Sequence, residues 1–168
     1  MDIAAQEVVQ PGRDGSFERR MQEVRQQRES RTTDFFDIPG FEGLVKVELQ
    51  VLGYKKTTDI SLKHVRQRDD SLRALYTAAD QLLAATVAIH KVMPDGSLAL
   101  GEGMTWLDAA RAYDPNLNAT VSPRAALIRL LDNGNGVNEL HGEWYSWNTR
   151  GNARVDGDLI EDFPGTES

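Results

Sequence analysis

Asp37-Ile38-Pro39-Gly40-Phe41-Glu42-Gly43-Leu44-Val45 runs straight into Lys46-Val47-Glu48-Leu49-Gln50-Val51-Leu52. Pro39 fixes φ and Gly40 accepts φ > 0, so the first half reads as a turn. In the second half Val45, Val47, Leu49 and Val51 alternate with Lys46, Glu48 and Gln50. That is the period of a strand with one buried and one wet face. The stretch therefore predicts a turn that feeds one strand, anchored to the core by its apolar face.

Upstream, Met1 to Gly15 carries Pro11, Gly12 and Gly15 with little periodicity and reads as a mobile leader. Ser16 then caps a helix over Ser16 to Ser30, in which Phe17, Met21 and Val24 share one narrow side. Its other positions are mainly Arg, Gln and Glu, so it reads as a solvated arm rather than a core element.

Downstream, Lys55 to Arg68 shows a weak helical or irregular pattern. Asp69, Asp70 and Ser71 supply capping residues for the strongest helix, predicted to run to about Val92. Leu72, Leu75, Tyr76, Ala79, Leu82, Leu83, Thr86 and Ile89 give it a broad apolar face, the expected spine of the core. Pro94-Asp95-Gly96-Ser97 is a turn between two short strands, Lys91 to Met93 and Leu98 to Leu100. Thr105 with Asp108 resembles a capping box opening a short helix that Pro115 ends. Ser122-Pro123 starts another, buried through Ala126, Leu127, Leu130 and Leu131. Asp132 to Gly136 breaks it, and Val137, Leu140, His141, Trp144 and Tyr145 predict a last helix ending near Trp147. From Thr149 onward five acidic residues against two Arg describe a disordered acidic tail.

The expected fold is thus mainly α with a small β element: a helical domain with one N-terminal strand or small hairpin. Residues 1–32 form an N-terminal arm with a possible helix, 33–148 the helical core and 149–168 the flexible tail.

The 168 residues are 40% hydrophobic and 27% charged, an ordinary globular composition. A net charge of −7 argues against phosphate-backbone binding, which needs surplus Lys and Arg. The chain has no cysteine, which excludes disulfides and thiolate metal sites. No basic segment followed by an apolar core marks a signal peptide at Met1 to Gln10, and no run reaches the roughly 20 apolar residues of a membrane span. The expectation is a soluble protein, without nucleic-acid or membrane partners, that stays in the cytoplasm.

Catalytic chemistry is thin. His64, His90 and His141 lack a two-His zinc spacing on one helix, and the latter two read as partly buried, hydrogen-bonded side chains on the spine and last helices. Asp132-Asn133-Gly134-Asn135-Gly136 looks like a calcium loop, but Gly134 brings no oxygen to the third position. A helix C-terminus with a left-handed turn accounts for its Asn and Gly better. Gly101-Glu102-Gly103 lacks the Lys and Ser/Thr of a phosphate loop, and Ser61, Ser97 and Ser146 have no adjacent base. The expectation is no enzyme, cofactor or metal. Trp144, Tyr145 and Trp147 cannot all face one core, which leaves two readings: one aromatic stays exposed for an interface, or Trp144 pins a core edge that Trp147 covers.

Two segments, Phe36-Asp37-Ile38-Pro39-Gly40-Phe41-Glu42-Gly43-Leu44-Val45 and Leu72-Arg73-Ala74-Leu75-Tyr76-Thr77-Ala78-Ala79-Asp80-Gln81-Leu82-Leu83, with Pro123 to Trp147 more loosely, carry a resemblance. Their order resembles the tail assembly chaperones of long-tailed, siphovirus-type actinobacteriophages. The basic, Gln-rich N-terminal helix has no counterpart in that pattern.

The resemblance implies a non-enzymatic protein of the host cytoplasm that binds the tape measure protein, keeps it soluble and helps recruit tail tube protein. It also implies short and extended forms made by programmed frameshift. Client contact is then expected along the spine and last helices, at Tyr76, Leu83, Leu140, Trp144 and Trp147, with avidity if the chain forms a homo-oligomer. Two rival expectations are a structural virion protein, such as a head-tail connector or tail component, and a small enzyme built on the histidines.

Overall fold

Two tight turns in succession carry the chain from its first strand into its second, and each places a glycine where the backbone is left-handed. In the computed structural model, which describes residues 15–30, 32–132 and 134–152, the Phe41 N–H donates to Ile38 O at 2.9 Å and the Leu44 N–H to Phe41 O at 3.0 Å. Gly40 (φ +87°) and Gly43 (φ +78°) occupy the third position of each turn, as type II turns require. They join β1 (Thr33–Asp37) to β2 (Val45–Gln50) as an antiparallel hairpin. Strand β3 (Thr86–Lys91) pairs antiparallel with the other edge of β2, giving the order β1-β2-β3.

The protein is mainly α with this small β element, but the sheet has three strands where one strand or a small hairpin was expected. Strand β1 reads Thr-Asp-Phe-Phe-Asp, which does not alternate. Thr86 and Ile89 continue the apolar spacing of the spine helix, which predicts helix where strand β3 forms. That helix, α3 (Asp70–Ala85), stops at Ala85, and Thr86 (φ −68°, ψ 125°) is already extended. Thr86, Val87 and Ile89 are β-branched and suit the pleat. His90 accordingly stands on a strand, not a helix.

Val47 and Leu49 are buried as the alternation predicts. The strand passes a register shift between Glu48 and Leu49 and ends at Gln50, so Val51 lies outside it and Leu52 enters the core instead. The opposite face is drier than expected: His90 is buried there, its Nε2 is 2.9 Å from Glu48 Oε2, and Phe35 meets its ring edge-on at 5.7 Å. Gly103 passes so close that a Cβ would lie 2.9 Å from that of Ala88. The expected strands beside Pro94 reduce to a single bridge, Val92 to Leu98.

The remaining helices follow their start signals. Helix α2 (Tyr54–Lys63) forms where the pattern was weak, burying only Thr57 and Ile60. Asp69 caps α3, and Thr105 with Asp108 forms both halves of a capping box on α4 (Trp106–Tyr113). Ser122 caps α5 (Pro123–Leu130) with Pro at its first turn. Asp132 takes the left-handed position after α5 (φ 51°). The last helix, α6 (Gly134–Asn152), begins earlier and ends later than predicted. Helix α1 (Ser16–Ser30) belongs to a separate unit, Met1–Thr32, and covers the predicted span, but Ser16 is its first helical residue and not its cap, since Gly15 O accepts the Arg19 N–H at 2.9 Å. The predicted leader before Gly15 and the acidic tail beyond Asn152 lie outside the described residues.

The core of the unit Thr33–Ser168 lies between the inner face of the sheet and α3, α5 and α6. Its largest buried side chain, Trp144, donates its indole Nε1–H to Gln50 O at 3.1 Å, and Asn148 Oδ1 accepts the Leu52 N–H at 2.8 Å. Replacing Trp144 with Ala is expected to cost about 3–5 kcal/mol, whereas Asn148→Ala, which strands one buried N–H, should cost about 1–3 kcal/mol. Urea unfolding of both variants checks the ranking.

Candidate functional site

The five residues expected to contact a client do not form one surface. Leu140 and Trp144 are fully buried and belong to the core. That corrects their expected role as contact residues, because neither side chain has surface to offer. Trp147 is half-buried and packs edge-on against Phe36 at 5.6 Å. Leu83 is half-buried against the core, and Tyr76 lies under the Arg124 guanidinium, 4.3 Å from its ring centre. Of the clustered aromatics Tyr145 is the exposed one, at 51%.

Each histidine takes a different partner. His64 Nε2 lies 2.6 Å from Asp80 Oδ2, which also accepts from Arg124 Nη1 at 3.3 Å. His90 holds Glu48 and keeps its buried Nδ1 without a partner. Among the described residues no group of three His, Asp or Glu side chains is placed to hold a metal ion.

Two concave surfaces emerge that sequence reasoning missed. The first is an apolar groove of about 230 Å³ lined by Phe41, Leu44, Val45, Met104, Ala112 and Tyr113, with Lys91 the single charged residue on it. Phe41 and Tyr113 meet edge-to-face at 5.4 Å, so the double-glycine turn and α4 form its opposing walls. Leu44 is 65% and Tyr113 54% exposed. The signal for it was present in the unexplained apolar residues Phe41 and Leu44 of the turn, but their pairing with Tyr113 exists only once α4 has folded.

The second is a polar pocket of about 290 Å³ where α2, α3 and α6 meet. Gln81 organises it from α3. Its amide nitrogen donates to Thr57 O at 3.1 Å and lies 3.3 Å from Ser61 Oγ, leaving its oxygen to accept from His141 Nε2 at 2.7 Å. That assignment puts the proton of the neutral imidazole on Nε2 and the lone pair on Nδ1. Burial lowers the His141 pKa, since desolvation disfavours the charged ring. Tyr145 stacks on the same ring at 5.7 Å and 28°.

No protein-family model, no curated protein and no solved structure matches this chain.

A His pKa lowered by folding means that the unfolded chain binds the extra proton first. This contribution to stability is whole above the ordinary value of 6.5 and is lost as pH falls from there through the lower folded value. Thermal unfolding across that window should show the loss in the wild type and a shallower one in His141→Gln. Equal slopes would dismiss His141 as its source.

Proposed function

We propose that this chain is an assembly chaperone of the phage tail type, which shelters an amphipathic helical segment of a tape measure protein. The observation that carries the reading is the apolar groove beside the Ile38-Pro39-Gly40-Phe41 turn. It brings exposed Leu44 and Tyr113 together with Phe41, Val45 and Met104 on one concave surface. A helix presenting apolar residues at i, i+3, i+4 and i+7 fits such a groove, and covering them keeps a long helical client from self-associating. One wall of the groove, Phe41, Leu44 and Val45, comes from a segment, Phe36 to Val45, that carries the resemblance.

This reading relocates client contact. Tyr76, Leu83 and Trp147 keep partial exposure, but the turn and α4 offer the more continuous apolar surface. The proposed setting is the host cytoplasm during tail assembly, with tail tube protein as a later partner. No helix among the described residues is long and apolar enough to cross a membrane.

Co-expression with a tape measure protein tests the proposal. The chain should raise the client's soluble yield and co-purify with it. The double variant Leu44→Asp, Tyr113→Ser should weaken that capture by about tenfold or more, as loss of a central apolar anchor does. Both positions are over half exposed, so the variant's melting temperature should stay close to that of the wild type. Capture undiminished in a folded double variant moves the client site elsewhere; no capture by the wild type removes the chaperone reading. Stoichiometric recovery of the chain from purified virions would favour a structural tail component instead.

A further inference from the structure

We propose that the pocket between α2, α3 and α6 is a binding site for a small neutral polyol, of the size and kind of one monosaccharide unit. This goes beyond the client groove and uses none of its residues.

The lining itself selects the class of ligand. Tyr54, Thr58, Thr77, Gln81, His141 and Tyr145 face the pocket with Thr57 and Ser61, and none of them carries a fixed charge. An ion entering it would lose hydration without gaining a counter-charge, and a purely apolar ligand would strand the hydroxyls. The space of about 290 Å³ equals the share of on the order of ten liquid waters, which suits a single sugar ring.

The hydrogen-bonding groups are directional. Gln81 is 5% exposed and its amide is spent on Thr57, Ser61 and His141. It therefore orients the imidazole rather than meeting a ligand. His141 Nδ1 is left as an acceptor with no protein partner among the described residues, and an acceptor of this kind calls for an O–H or N–H. The side chains of Thr58 and Thr77 make no hydrogen bond among the described residues, and a hydroxyl both donates and accepts. Tyr145 and Tyr54, which as whole residues are 51% and 58% exposed, add aromatic rings to the lining. His141 stacks against Tyr145, which restrains that ring and lowers the ordering cost of a sugar's C–H face settling on it. Hydroxyl donors around an apolar ring face are the complement of this arrangement. A peptide amide side chain would use the acceptor but leave the tyrosine faces bare.

Proton and nitrogen NMR of the full chain at neutral pH, titrated separately with D-glucose, N-acetyl-D-glucosamine and L-rhamnose, provides the test. At least one sugar should move the His141 and Tyr145 ring signals saturably, with a dissociation constant of about 10 mM or tighter. Tyr145→Ala and Thr77→Val, each with its amide spectrum otherwise preserved, should each weaken that binding by about tenfold, the effect of losing one good contact. No saturable shift with any of the three up to about 100 mM overturns the proposal. So does binding that survives both substitutions undiminished, and so does saturable binding of acetamide in place of all three sugars, which would mark a peptide-side-chain pocket. Loss of client capture by the groove variant leaves these readings untouched.

Discussion

Where β2 ends, the chain must leave a buried sheet without stranding its backbone groups, and the partners come from the far end of the sequence. Trp144 donates to Gln50 O and Asn148 accepts from Leu52 N–H, bonds that span 94 and 96 residues. Gln50 in turn sends its side-chain amide to Ala84 O near the end of α3. Buried peptide groups that lose such partners are costly. These three bonds thus hold α3 and α6 against the end of the sheet. The pocket on the α2 side takes two of its walls, α3 and α6, from that junction.

Helix α3 is the wall the helices share. Two consecutive residues, Asp80 and Gln81, reach in different directions: Asp80 to His64 beyond α2 and to Arg124 on α5, Gln81 to the backbone of α2 and to His141 on α6. A polar network inside a domain specifies one arrangement when its members are satisfied, and Gln81 is. The same network fixes which nitrogen of His141 carries the proton, so the packing of three helices and the lining of the polar pocket depend on one side chain.

Much of the helical frame was legible in the sequence because its signals are local. Ser122 before Pro123, Thr105 with Asp108 and Asp69 before Leu72 each cap the helix they predicted. The turn glycines also declared themselves. What stayed hidden depended on contacts across the chain. Strand β3 borrowed the helix period of the residues before it, and only pairing with β2 makes Thr86 to Lys91 extended. Leu140 and Trp144 carry the same apolar character whether they face a core or a client, and burial alone decides between the two. The apolar groove needed Phe41 and Tyr113, 72 positions apart in the numbering, to meet.

The passage from Ala85 to Thr86 joins a helix to a strand with no loop between them. Loops absorb insertions and deletions because their ends need not keep phase; here there is nothing to absorb them. One residue lost from α3 would turn everything beyond the gap by about 100° around the helix. It would also exchange the inner and outer faces of β3, sending Ile89 outward and His90 toward the core. Over evolutionary time this part of the chain is therefore free to change its letters but not its length, and length differences between relatives should gather at the Pro94 turn and between α4 and α5.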